Sequence, residues 1–436
     1  MKCINMLIIL LVTVSGANAL ELQEMQDMAL GSRQVVRQFE TRLEQSKKDL
    51  VVARAAYYPS VDLGYTMNHL DEASFVEDRE NSVVFGSVSY NLFAGLRDKY
   101  TIDSAGLLSV VEDLRLESLR QDIQLAVALA YLDVYERLAN KKVAESAFET
   151  LEKVYRDGES RYEVGLIGKN ELLKFRVDYD NADITLKAAD AGLKKSINNL
   201  SRQVGNTIDF FELGFQEFSQ IPSLDGKEQY REKMLACRSE IKALEKLVEA
   251  AALQAEAARG DYYPRVDAVG SYQRYDNHLI NGRGDIGDSG NTADLLSNTD
   301  FSAIGSDGEE IRAQVVFSLN LFRGHATEAT VARAKLETRA ASYELDELKR
   351  SLSTELDNLY IDLQVSLENV EVANRSIEQA QENLRITQLK YEEGLQRESD
   401  LLDAITSLSR AKYNYVAVIR ALYLNDFKLT RMIDGF

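Results

Sequence analysis

Tyr57-Tyr58-Pro59-Ser60-Val61-Asp62-Leu63-Gly64-Tyr65-Thr66-Met67 is the stretch that decides the fold, because its opening occurs twice. Tyr57-Tyr58-Pro59-x-Val61-Asp62 returns as Tyr262-Tyr263-Pro264-x-Val266-Asp267, 205 positions later. Asn91-Leu92-Phe93-x-Gly95 returns as Asn320-Leu321-Phe322-x-Gly324, 229 positions later. The second offset then persists. Tyr131 and Asp133 match Tyr360 and Asp362, Tyr162-Glu163-x-Gly165-Leu166 matches Tyr391-Glu392-x-Gly394-Leu395, and Arg202 matches Arg431. The offset grows by 24 between the first two landmarks, so the second copy carries an insertion there. Solenoid and propeller repeats run about 20–50 residues. This is a duplicated half-protein.

After the first landmark the chain alternates. Val61, Leu63, Tyr65 and Met67 interleave with Asp62, Gly64, Thr66 and Asn68, and Val84, Gly86, Val88, Tyr90 and Leu92 with Phe85, Ser87, Ser89 and Asn91. The second copy does the same with Val266, Ala268, Gly270 and Tyr272, then with Ile311, Ala313, Val315, Phe317, Leu319 and Leu321. One mostly apolar and one mostly polar face over about 10 residues suits a membrane-barrel strand. It also suits a half-buried strand of a soluble sheet. Between the strands lie a short acidic segment, Leu70 to Asn81, and a long polar one, Asp276 to Glu310, that holds the insertion. Barrels place long loops outside and short turns inside.

Most of the remaining chain repeats apolar residues at helical spacing, roughly over 21–56, 96–157, 169–204, 228–260, 325–387 and 398–432. Leu114, Leu116, Leu119, Ile123, Leu125, Val127, Leu129 and Leu132 show the pattern, and only Pro59, Pro222 and Pro264 could interrupt a helix. A helix of about 60 residues is about 90 Å long. Such helices pack along parallel or antiparallel neighbours.

Lys2, the apolar run Ile4 to Val14 and Ala17-Asn18-Ala19 predict a secretory signal peptide cut after Ala19. The run is shorter than the roughly 20 residues a membrane-spanning helix needs. Cys237 is then the only cysteine left, so no disulfide framework is expected, and His69, His278 and His325 lie too far apart to suggest a metal site. With 70 acidic against 51 basic residues and a net charge of −19, nucleic acid is excluded as a partner. No nucleophile with a neighbouring base and no phosphate loop occurs, so neither an enzyme nor a cofactor is expected. Export together with the polar second strand faces favours the membrane reading.

Four strands cannot close a barrel, and open edges are forbidden in lipid. The barrel is therefore shared, by two chains with eight strands or three with twelve, and only the larger encloses more than side chains. In each copy helices enter the first strand and leave the second, so all of them hang from one end. The landmarks divide the chain into a signal peptide at 1–19, a first repeat at 20–210, a linker at 211–227 and a second repeat at 228–436. Strands are expected at about 60–69 and 82–93, then 265–274 and 311–322. The fold class is mainly α with a membrane β-barrel portion, in two structural repeats of two β-strands plus long helices.

The two Tyr-Tyr-Pro and two Asn-Leu-Phe-x-Gly motifs, with the late block Tyr391-Glu392-Glu393-Gly394 and Asp400-Leu401-Leu402-Asp403-Ala404, resemble the TolC family of outer-membrane efflux and type I secretion channels. The likeness covers about 20–435 of the chain. It implies a homotrimer in the outer membrane, with a twelve-stranded barrel continued by a periplasmic α-helical barrel. It also implies two partners, a periplasmic adaptor and an inner-membrane transporter, ABC or proton-driven. By the same resemblance Asp400 and Asp403 form an aspartate ring at the periplasmic entrance, where three copies would attract cations. Tyr391 matches a residue of the network that keeps that entrance closed, with Asn170 and Glu171 as partners from the first copy. The family's arginine falls at Gln396, a departure, with Arg397 beside it.

Trp is absent, so an aromatic belt at the bilayer edges would come from Tyr57, Tyr58, Tyr262, Tyr263, Tyr90, Phe93, Phe317 and Phe322. Gly282-Arg283-Gly284-Asp285 holds a single fragment of a calcium-binding pattern, better read as a polar loop. Two other classes remain in view. A periplasmic adaptor would show one helical hairpin beside compact β domains, and a coiled-coil adhesin would lack the four strands.

Overall fold

The computed structural model describes residues 20–72, 79–276 and 308–436. The expected signal peptide at 1–19, His278 and the Gly282-Arg283-Gly284-Asp285 loop lie outside the described residues. In chain order the elements are α1 (Leu22–Ser32), α2 (Gln34–Arg54), β1 (Ser60–His69), β2 (Glu80–Ala94), α3 (Arg97–Glu163) and α4 (Lys169–Val204). The second copy repeats them as α5 (Lys227–Cys237), α6 (Ser239–Arg259), β3 (Arg265–Asp276), β4 (Gly308–Ser318), α7 (Ala326–Glu392) and α8 (Glu398–Met432). Two compact units result, 42–113 with 243–345, and 1–41 with 114–242 and 346–436; their boundaries fall inside α2, α3, α6 and α7. No helix among the described residues is long and apolar enough to cross a membrane.

The first unit holds one antiparallel sheet in the order β1-β2-β3-β4. Its register aligns the alternation seen in the sequence. Val61 lies opposite Val88 and Tyr65 opposite Val84; Tyr90 lies opposite Ala268, and Val266 opposite Phe317. All four apolar sets therefore share one face, while Asp62, Ser87, Ser271 and Arg312 share the other. A one-residue slip would reverse every side chain, so this agreement fixes the register. The apolar face is bare, with Leu63 84% and Ile311 82% exposed. So much uncovered aliphatic surface marks a contact with lipid or protein. At the helix-bearing end of the sheet, Gly95 (φ +64°) lets the chain leaving β2 touch the chain entering β3: a Cβ there would lie 2.4 Å from the Gly260 carbonyl. The Arg97–Asp261 ion pair at 3.3 Å fastens the same contact.

The second unit is a packed set of helices around the linker. Tyr131, fully buried, stacks on Phe215 at 5.1 Å and donates its hydroxyl to the Gly214 carbonyl, while Tyr423 donates to the Gln220 carbonyl at 2.7 Å. The matched Tyr360 reaches the linker too, at the Asp225 carbonyl (3.3 Å). Buried phenols keep hydrogen-bond partners, and here the linker backbone supplies them.

Two sequence expectations change. The helices expected over 21–56 and 228–260 are each broken by one extended residue, Arg33 and Arg238, 205 positions apart. The second break is explained by capping: Asp434 accepts hydrogen bonds from the Ser239 backbone N–H (2.6 Å) and hydroxyl (2.7 Å), starting α6 afresh. A one-residue interruption barely shifts the helical phase, so periodicity cannot show it. The last strand, expected at 311–322, ends at Ser318, because residues 319–322 have no partner strand among the described residues.

The end of α8 is held by charge. Arg431, with its side chain only 6% exposed, binds Asp122 (2.8 Å), Glu240 (2.5 Å) and Asp434 (2.6 Å). Burial pushes the Glu240 carboxyl up, but Arg238 and Arg431 outweigh it and leave it below the usual carboxylate range. A depressed carboxylate stabilises the fold above its unfolded value, about 4.3, and that contribution fades as pH falls through the folded value. Arg431→Met should therefore cost about 3–5 kcal/mol at neutral pH. It should also flatten the acid limb of a melting-temperature profile, followed by circular dichroism.

Candidate functional site at the hairpin turns

Helices α3 and α4 form one hairpin and α7 and α8 the other, and the two turns are built alike. Leu166 N–H bonds the Arg161 carbonyl (2.8 Å) and Gly165 N–H that of Tyr162 (3.0 Å); Leu395 bonds Lys390 (2.8 Å) and Gly394 bonds Tyr391 (3.0 Å). This is the Schellman arrangement, which needs a left-handed residue after the helix, and both Gly165 and Gly394 have φ +76°. The glycines of the repeated Tyr-Glu-x-Gly-Leu motif thus set where each helix stops. The following helices begin alike as well. Glu171 accepts from the Gly168 N–H (3.1 Å) and Asp400 from the Arg397 N–H (3.3 Å), each carboxylate sitting in the first turn where the helix dipole favours it.

One ion pair joins the start of α4 to the start of α8. Lys174 Nζ lies 2.8 Å from Glu398 Oε1, and the lysine holds the Glu398 carboxyl below its ordinary range. Beside it runs a groove of about 460 Å³ lined by Asn170, Leu173 and Asp178 of α4 and Ser399, Leu402 and Asp403 of α8. Burial, and then the nearby Asp403 carboxylate, push the Asp178 carboxyl up. Tyr391 is half-buried, edge-on to Phe175 at 6.3 Å, with the Arg161 guanidinium 5.0 Å from its ring. Its hydroxyl is pushed up chiefly by burial, eased by Arg161 and reinforced by Asp157, Glu171 and Glu398.

The residues expected at a gate therefore gather at one place, in unequal roles. Asn170 and Asp403 face the same groove; Asp400 and Glu171 cap their own helices; Tyr391 packs on the first hairpin. Arg397 is exposed at the start of α8, where its backbone N–H donates to the Asp400 carboxylate. Gln396 points a buried carbonyl oxygen at no partner. No motif marks Lys174, Glu398, Arg161 or Asp178, though opposite charges near the starts of two matched helices, Lys174 and Glu398, are an available signal. The aromatic candidates Tyr57, Tyr58, Tyr262, Tyr263, Tyr90, Phe93, Phe317 and Phe322 are all exposed. No group of residues suited to a metal ion occurs among the described residues.

A sheet with one bare apolar face, long helical hairpins and a polar site at their turns define an outer-membrane channel. The chain belongs to the outer membrane efflux protein family, whose sequence profile matches residues 26–206 and 231–434. It is similar to outer membrane protein TolC of Vibrio cholerae serotype O1, 21% identical over 390 residues, which cover 85% of this chain and 82% of that one. Among solved structures, CusC superposes with a TM-score of 0.77 at 14% identity, covering 95% of this chain and 92% of that one. VceC of Vibrio cholerae does so with 0.74 at 19% identity, covering 95% and 96%. The protein is thus an outer-membrane efflux channel. Neither the adaptor nor the adhesin reading survives this membership.

A carboxyl raised above its unfolded value weakens the fold at neutral pH, and the penalty is relieved as pH falls through the raised value. Asp178→Asn should therefore raise the melting temperature at pH 7, and the gain should shrink toward pH 4. An equal gain at both values would show that charge at Asp178 is not the cause.

Proposed function

We propose that the protein is the passive exit duct of a tripartite efflux or type I secretion system, closed at its hairpin turns until a partner opens it. The observation that carries this is the Lys174–Glu398 pair, which ties the two hairpins together at their matched turns. Three copies would supply twelve strands, the number at which a barrel can hold a lumen rather than a packed core. Tyr57, Tyr58, Tyr262, Tyr263 and Phe322 would flank the bilayer as its aromatic belt. A periplasmic adaptor and an inner-membrane transporter, ABC or proton-driven, would bring substrate and energy.

At the turns, Asp403 is the open carboxylate, exposed in the groove, whereas Asp400 is engaged with its helix end. Three Asp403 side chains around an axis would draw cations in and resist anions. Tyr391 packs the second hairpin against Phe175 of the first, and the ion pair holds what the packing aligns. An ion pair whose lysine stands in solvent is screened, which suits a latch that a docking partner must undo.

Single-channel recording in planar bilayers tests both statements. Lys174→Glu should raise conductance or open probability, and adding Glu398→Lys should restore the closed behaviour. Asp403→Asn should weaken block by divalent cations applied from the helical end, and more than Asp400→Asn does. No conductance from any variant would refute the duct; conductance unaltered by charge reversal would refute the latch.

A further inference from the structure

The two ends of the sheet carry opposite charge. At the helix-bearing end, residues 54–60, 94–100, 259–265 and 318–325 hold Arg54, Arg97, Lys99, Arg259, Arg265 and Arg323 against only two carboxylates, Asp98 and Asp261. At the far end, residues 69–72, 79–82, 274–276 and 308–311 hold Arg79 and Arg274 against Asp71, Glu72, Glu80, Asp276, Glu309 and Glu310. The whole chain has 51 Lys and Arg against 70 Asp and Glu, so the helix-bearing end opposes the overall charge. Its cations also keep company with aromatic rings. Arg54 is three residues before Tyr57, Arg259 three before Tyr262, and Arg323 directly follows Phe322.

Three of these cations have partners in the chain. Arg97 pairs with Asp261 (3.3 Å), Arg259 with Glu256 (2.8 Å) and Arg265 with Asp267 (2.8 Å). Asp98 is engaged as well, accepting from the Asn91 amide. Arg54, Lys99 and Arg323 are exposed and make no ion pair among the described residues. The repeat shows how they came to stand apart. Arg54 matches Arg259, but the place of Glu256 is taken in the first copy by Val51, 58% exposed. Lys99 matches Glu328, and Arg323 matches Ala94. Helix ends do not account for the set. Arg54 suits the last turn of α2, yet Lys99 stands in the first turn of α3, where the helix dipole disfavours a cation.

We infer that Arg54, Lys99 and Arg323 form a rim that binds the phosphate of an anionic phospholipid in the periplasmic leaflet of the outer membrane. The bare apolar face meets the acyl chains, and aromatic rings at its end mark the membrane–water boundary. A cation close to those rings on their helical side therefore lies at headgroup depth. Arg and Lys lay their aliphatic stems along apolar surface and carry the charge to a phosphate, which accepts charge-assisted hydrogen bonds. A zwitterionic headgroup brings an ammonium with its phosphate, whereas an anionic one brings the phosphate alone, so the rim favours the anionic lipid. The carboxylates at the far end would repel the same headgroup. This inference rests on the aromatic belt proposed above and adds a lipid class, which rings without charge cannot select.

Spin-labelled lipids test it, because lipid held at a protein surface moves more slowly than bulk lipid. The full chain in phosphatidylcholine vesicles should hold spin-labelled phosphatidylglycerol more strongly than spin-labelled phosphatidylethanolamine, by about fivefold for each cation engaged at low salt. Salt at about 1 M should erase the preference. Arg54→Gln, Lys99→Gln and Arg323→Gln together should abolish it, and each alone should remove part. Arg54→Lys with Arg323→Lys should keep it, as should Arg79→Gln with Arg274→Gln at the far end. Equal retention of the two lipids by the unaltered chain, or an unchanged preference in the triple Gln variant, would overturn the rim. Stronger retention of spin-labelled lipopolysaccharide, lost in that same variant, would overturn the choice of leaflet. A chain that slows none of these lipids would instead overturn the belt beneath it.

Discussion

Unpaired backbone amides and carbonyls cannot be left facing hydrocarbon, where each costs several kcal/mol. That one constraint orders much of this protein. The described residues form four strands, with β1 and β4 at the edges of the sheet. A four-stranded sheet with a bare apolar face is stable neither in water, where that face is uncovered, nor in lipid, where its edges are. The shared barrel proposed above would resolve this with strands from other copies of the chain. Duplication provides the means, since hairpins of identical register can be joined one to the next, within the chain or between chains.

The copies have diverged wherever a half-protein needed something the other half did not. Arg202 donates to Asn199 at the surface, at 3.0 Å, whereas its match Arg431 is buried among three carboxylates. The residues three places on differ to suit: Gly205 takes the left-handed conformation after α4 without cost, and Asp434 takes it after α8. The strain at Asp434 is offset by its carboxylate, which binds Arg431 and caps α6. At the turns the positions Lys174 and Asp403 match one another, so at that matched position the shared groove has a cation from the first copy and an anion from the second.

Much of this was legible in the sequence because it is periodic. The alternation of Val61, Leu63, Tyr65 and Met67 has one meaning in a sheet, and the register shows all four strands obeying it. The turn motif Tyr-Glu-x-Gly-Leu names its own geometry through the glycine. What stayed hidden is aperiodic. The break at Arg238 depends on Asp434, 196 residues away, and the Lys174–Glu398 pair joins residues that no spacing rule connects. The end of β4 was misjudged for a different reason. Strand propensity continues through Leu319 and Leu321, but a strand is defined by its partner, and the described residues supply none there.

The unit of helices is fastened unevenly, and the unevenness follows from dielectric. At the end of α8, Arg431 and Asp434 are nearly out of water, so removing either leaves a buried charge and costs several kcal/mol. At the start of α8, Lys174 is mostly exposed, so its pair with Glu398 is screened by water and weak by comparison. The same helix therefore has one end that thermal energy cannot free and another that it nearly can. Uniform fastening would serve a rigid pillar. The gated duct proposed above calls for the opposite, with strong charge pairing at the end of α8 and weak pairing at the hairpin turns.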